Sequence, residues 1–258
     1  MAKPITSAER QYLDYLRRKG VQTSNGYVRR LVTLRSKEVK RICDKLLREY
    51  ADTSAWADAV RMGLTEPYLA DWYKGLIVNG GLPMVAGTAR QLTGNPKALT
   101  DMTPFRRGLA DYAEVRAGSE IKIVSGTFKD GIIATIRREI DADYNIGVER
   151  LARAIKEDFD GVKLWQARRI AQTELMNGLG EAGREAAQAL DIPFTKQWCC
   201  SGLGNTRESH LAMDGVEVDQ YEYFQLAGGE MLYPHDTSGG ADASEIINCC
   251  CSVIRRPK

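Results

Sequence analysis

Apolar residues recur three or four positions apart along the first two-thirds of this chain. The recurrence is most regular at Leu164, Ala167, Ala171, Leu175, Leu179, Ala182, Ala186 and Leu190. That spacing predicts one continuous helix over 164–190, with a stripe facing a core. Several stripe positions are alanine, which allows a neighbouring helix to approach closely. Gly178, Gly180 and Gly183 each weaken the helix by roughly 1 kcal/mol relative to alanine, so tertiary packing must offset them. Helices are also expected over 6–19 and 25–50, the second with Val39, Ile42, Cys43, Leu46 and Tyr50 on its apolar face. Its other face carries Arg29, Arg30, Arg35, Lys37, Lys40, Arg41, Lys45 and Arg48. Asp52-Thr53-Ser54 reads as a helix cap, and Thr65-Glu66-Pro67 as a cap with proline in the first turn.

Residues 79–104 are rich in Gly, Pro, Thr and Asn and predict a long irregular arm that contacts another protein. Residues 119–125 alternate in polarity and predict a lone strand. After Asp191-Ile192-Pro193 the texture changes to short β-prone runs separated by Gly, Asn, Asp and Ser. The expected fold is therefore α+β, with a mainly helical N-terminal two-thirds and a small β-rich C-terminal module at 194–258. A division into a helical, arm-bearing region (1–140) and a second domain (141–258) follows. A module so small commonly needs a metal, a disulfide or a host domain to dock against.

Composition changes this picture in one respect. The chain has 258 residues, 43% hydrophobic and 27% charged, which is ordinary for a globular protein. Its net charge of +2 hides an asymmetry, about +6 over residues 1–194 against −4 over 195–258. The opening MAKPITSAER lacks the charged-then-apolar pattern of a secretory signal, and no stretch has the length of a spanning helix, so a reducing cytosol is the expected setting.

Candidate chemistry is concentrated at one end. Both histidines and five of six cysteines fall between Cys199 and Cys251. If 249–251 is extended, Cys249 and Cys251 share a face and can present two thiolates to one ion. His210 with Cys199 or Cys200 would complete a tetrahedral zinc site, so the candidate ligands are Cys199, His210, Cys249 and Cys251 around one structural zinc. Two other outcomes stay open: buried thiols packed on Trp198 with His210 bonded to a carboxylate such as Asp214, or a disulfide.

The order of motifs carries a resemblance. Arg169-Ile170-Ala171-Gln172-Thr173-Glu174, Lys196, Trp198, Arg207, His210, Asp214, Gly215, Phe224, Pro234, Asp236, Asn248, Cys249 and Cys251 together resemble the phage Mu F-like head morphogenesis family of minor capsid proteins. The match covers roughly residues 145–255 as an ordered set. The chain departs from that pattern at Gln172, at Gly204-Asn205, at His235 in place of a turn glycine, and at Cys250 in place of an arginine.

The resemblance implies a non-enzymatic structural protein of a tailed phage, acting in head assembly at the portal vertex and released with the genome. Its implied partners are the portal and the major capsid or scaffold proteins, with weak contact to packaged DNA and none to membrane. Its implied location is the virion after assembly in host cytoplasm. Two alternatives are kept beside it. One is an NAD-consuming ADP-ribosyltransferase-like enzyme built on Arg207, His210, Tyr223 and Glu245. The other is a DNA-binding head-interior protein that uses the basic face of 25–50.

Overall fold

The structure, a computed structural model, describes residues 4–63, 68–143, 145–159, 164–201, 204 and 206–258, so the expected Thr65-Glu66-Pro67 cap and the departure at Asn205 lie outside the described residues. Helices α1 (Ser7–Glu49), α2 (Trp56–Gly63), α3 (Tyr68–Thr93), α4 (Thr103–Ala142), α5 (Val148–Phe159) and α6 (Leu164–Leu190) precede the β-rich end. That end comprises β1 (Phe194–Cys199), α7 (Glu208–Met213), β2 (Glu217–Asp219), β3 (Phe224–Leu226), β4 (Gly229–Met231), α8 (Ala243–Ile246) and β5 (Ser252–Pro257). The α+β class holds, with helices first and a small antiparallel module last. The chain divides into two compact units that interleave in sequence, in place of a cut near residue 140. One takes residues 27–72 and 114–168, the other 1–26, 73–113 and 169–258.

In the first unit, Val39, Ile42, Cys43 and Leu46 meet Trp56, Val60, Ile132, Ile133, Ile136, Leu151 and Ile155 in a hydrocarbon core. Trp56 is fully buried and satisfies its indole N–H on the Tyr50 carbonyl. Asp52 caps a 3-10 turn at Thr53–Ala55, as its sequence foretells. Residues 119–125 belong to helix α4, so local alternation gave way to a long continuous helix. The basic face of α1 is mostly its wet side. Arg41 pairs with Glu38 and Lys45 with Glu49, while Arg35 is buried over the Phe128 ring at 3.9 Å.

The second unit corrects the reading of 79–104. Residues 79–93 are the second half of α3, with Pro83 inside it. Buried positions 73, 76, 77, 80, 81, 84, 85, 88, 89 and 92 form a helical stripe once glycine counts as a core residue. A Cβ at Gly81 would lie 2.7 Å from the Gly178 carbonyl oxygen, so α3 and α6 touch backbone to backbone. This contact is what the missing side chains make possible, and it offsets their low helix propensity. The stripe of α6 is buried at Ala167, Ala171, Leu175, Leu179, Ala182 and Ala186. Helix α1 runs unbroken through Gly20, opposite Leu175, and starts from a capping box in which the Thr6 and Glu9 N–H groups bond each other's side chains at 2.8 and 3.2 Å.

Strand β1 is central in a three-stranded antiparallel sheet ordered β2-β1-β5, with Trp198 opposite Val253 and Cys199 opposite Ser252. Strands β3 and β4 form a separate hairpin. Alternation along β1 puts Trp198 on one face and Cys199 on the other. The first joins a core with Cys200, Phe224, Met231, Tyr233, Ile246, Cys249, Cys251 and Val253, while Cys199 packs with Leu13 and Ile254.

A buried histidine-thiol cluster as the candidate functional site

Three short elements deliver the cluster. Helix α7 carries His210, α8 carries Glu245, and the segment between α8 and β5 carries Cys249 and Cys251. Arg207, at the start of α7, donates to the Ile247 carbonyl at the end of α8 and so ties the two helices. Asn248 adopts φ 59°, a left-handed conformation that Asn tolerates better than most residues, and its N–H donates to Thr173 Oγ1 at 3.2 Å. These ties fix the start of the cysteine segment against α6.

His210 is 1% exposed. Its Nε2 lies 2.8 Å from Glu245 Oε2, and Ser209 donates to the same oxygen at 3.0 Å. Its Nδ1 faces sulfur, 3.4 Å from Cys249 Sγ and 3.6 Å from Cys251 Sγ. The ligand atoms of His210, Cys249 and Cys251 all lie within 4.8 Å of one another. A cluster of this kind could hold a metal ion.

Cys200 stands beside the cluster. Its Sγ is 3.8 Å from Cys251 Sγ and donates to the His210 carbonyl at 2.8 Å. Its backbone N–H is held by Asp214 Oδ1, whose other oxygen takes a bond from Arg10 at 2.8 Å. Asp214 is thus engaged elsewhere, and Glu245 is the carboxylate that His210 meets. The expected ligand Cys199 is not in this group: it lies on the opposite face of the strand, 3.7 Å from Arg10 Nη1. Cys250 points away from Cys249 and Cys251 and accepts from Gln172 Nε2 at 2.8 Å.

Burial opposes charge on His210, Cys200 and Cys251. Burial holds the His210 pKa below its ordinary value despite Glu245, which favours the neutral imidazole. The Cys251 contact and burial push the Cys200 thiol up, and burial takes Cys199 up to about 11. The Cys200 contact pulls Cys251 down, but Cys249 and burial raise it on balance. Raised, enclosed thiols such as Cys200 and Cys251 are poor nucleophiles.

Of the residues named for nicotinamide chemistry, the structure joins His210 and Glu245 to each other and turns Arg207 to a backbone carbonyl. Beside the cluster is a cavity of about 20 Å³, lined in part by Gly180, Tyr233, Cys251 and Arg255. Ligand pockets usually run to ~300–1,000 Å³, so this one is small for a dinucleotide. Among the described residues no helix is long and apolar enough to cross a membrane.

No family model matches the chain. No solved structure matches it either. The chain is similar to the NAD(+)--arginine ADP-ribosyltransferase EFV of Enterococcus faecalis, 35% identical over 107 residues. That stretch is 40% of this chain, and the chain spans 21% of the length of that relative. The likeness is to an enzyme, and it overturns the expectation of a non-enzymatic protein.

Proposed function

We propose that this chain takes part in ADP-ribosyl transfer from NAD to arginine. One observation carries the reading, the 35% identity over 107 residues to an NAD(+)--arginine ADP-ribosyltransferase. The geometry bears on how the chain would contribute. His210 and Glu245 are bonded to each other and are 1% and 6% exposed, so they serve the core of the module and the nucleotide is bound outside this pair. The direct test incubates the purified chain with labelled NAD and agmatine, an arginine-like acceptor. The expected result is labelled ADP-ribosylagmatine. No product and no NAD binding would overturn the reading.

A second reading, a Mu F-like head protein at the portal vertex, is favoured by a different observation. The residues that carry that resemblance gather in one place. Trp198, Phe224, Cys249 and Cys251 share a core, the His210 ring sits edge-on to Trp198 at 5.4 Å, and Thr173 holds the N–H of Asn248. His235 adopts φ 77°, the conformation natural to the glycine it replaces. Mass spectrometry of purified phage heads checks this reading, which requires the chain among the virion proteins.

Under either reading the module holds one structural zinc ion through His210, Cys249 and Cys251. Three ligand atoms within 4.8 Å in a dry core support it, as does the small size of the fold.

A further inference from the structure

We propose that Cys200 is the fourth ligand, closing a Cys3His zinc centre with His210 Nδ1, Cys249 and Cys251, and that Glu245 positions the imidazole. The inference rests on the zinc reading above.

The distances carry it. With Zn–S near 2.3 Å and Zn–N near 2.0–2.1 Å, a tetrahedral site has edges of about 3.8 Å between sulfurs and about 3.6 Å between sulfur and nitrogen. Cys200 and Cys251 sulfurs are 3.8 Å apart, and Nδ1 is 3.4 and 3.6 Å from Cys249 and Cys251. Three edges of the tetrahedron are therefore already in place. Ligation requires the Cys200 sulfur to leave the His210 carbonyl, its present partner, and close on the imidazole side.

The surroundings select the same ligands. Glu245 accepts from Nε2, which leaves the Nδ1 lone pair toward the sulfurs, the arrangement that fixes ligand orientation in zinc sites. Among the described residues the indole N–H of Trp198 is buried without a hydrogen-bond partner, in the core that also holds Cys200. Its acceptor would be the ligating sulfur. Binding of Zn²⁺ releases the three thiol protons to solvent and leaves a centre of net charge −1, beside the Arg207 cation whose field reaches His210. All four positions are then filled by protein, so the centre is structural and has no place for a reactive water.

The test is cobalt substitution in the full chain. Co²⁺ added to the metal-free protein is expected to give tetrahedral d–d bands and a thiolate charge-transfer band. Cys200→Ser should keep the cobalt and lose about a third of that charge-transfer intensity, one thiolate in three. Cys199→Ser should match wild type. A Cys200→Ser spectrum equal to wild type would overturn the fourth-ligand assignment and leave the zinc reading standing. Failure of wild type to take up Co²⁺ or Zn²⁺ would remove the zinc reading itself. Should Cys200→Ser not fold, X-ray absorption on the zinc-loaded wild type decides, since three sulfurs and one nitrogen support the assignment and two sulfurs overturn it.

Discussion

In the core formed by Val39, Ile42, Leu46, Ile132 and Ile136, a lone cysteine lies among hydrocarbon. The Cys43 thiol faces the Ala152 carbonyl at 3.7 Å, and burial raises its pKa to about 11. In the core around Trp198, two thiols face one imidazole, a third stands beside them, and a carboxylate sits behind the ring. Cysteine is fully at home in both, so the residue type alone says little. The difference lies in the polar groups that accompany it. A core that must place a carboxylate, an imidazole and three thiols together is poorly stabilised by packing alone, whereas the hydrocarbon core needs nothing further.

The largest expected effect breaks the two regions apart. Structural zinc contributes on the order of 10–16 kcal/mol to small folds, so a strong chelator should expose the amides of 194–258 to hydrogen exchange. Those of α2 and α5 should stay protected. Simultaneous loss of protection in both would erase the distinction drawn here. Next in size, Ile136→Ala in the hydrocarbon core should cost about 2–5 kcal/mol, read from denaturant unfolding. It should leave metal content unchanged. Ala171→Leu, on the buried stripe of α6, should overpack and cost roughly 1–3 kcal/mol, seen as a lower Tm.

The smallest effect is a pH dependence away from both cores. Burial raises the Glu185 carboxyl to about 7, helped by Glu181 and Asp111 and opposed by Arg184. A carboxyl raised in the fold favours the protonated form, so its contribution is complete below the unfolded value near 4.5 and is lost as pH rises through about 7. Screening at this half-exposed site keeps the loss to ~2 kcal/mol or less. Tm measured from pH 4.5 to 8 should fall in wild type relative to Glu185→Gln, and parallel curves would dismiss the shift.

The legible parts of the sequence were those where one signal dominates. The stripe of α6 and the short β-prone runs after Pro193 needed no tertiary knowledge. Gly80, Gly81 and Pro83 misled because local propensity marks them as breakers, while their role is set by the α6 backbone that passes over them. His210, Cys249 and Cys251 were legible by type and clustering, although β5 begins only at Ser252 and strand alternation is not what pairs the thiols. The choice between Cys199 and Cys200 was not legible. It depends on which face of β1 turns inward, and neighbouring residues answer oppositely. Glu245 as the partner of His210 was hidden by a separation of 35 positions, with Asp214 nearer in sequence.

Arg256 of β5 bonds Glu9 of α1, two residues 247 positions apart. Ribosomes add about 5–20 residues per second, so the first turns of α1 emerge roughly 10–50 s before the strand that clasps them. During that interval Arg10 and Leu13 lack the groups that later engage them, Asp214 and Ile254. The contacts that fix the start of α1 are therefore completed only after β5 has been made. A nascent chain must keep α1 in waiting over that interval, and factors that bind emerging segments have time to act there.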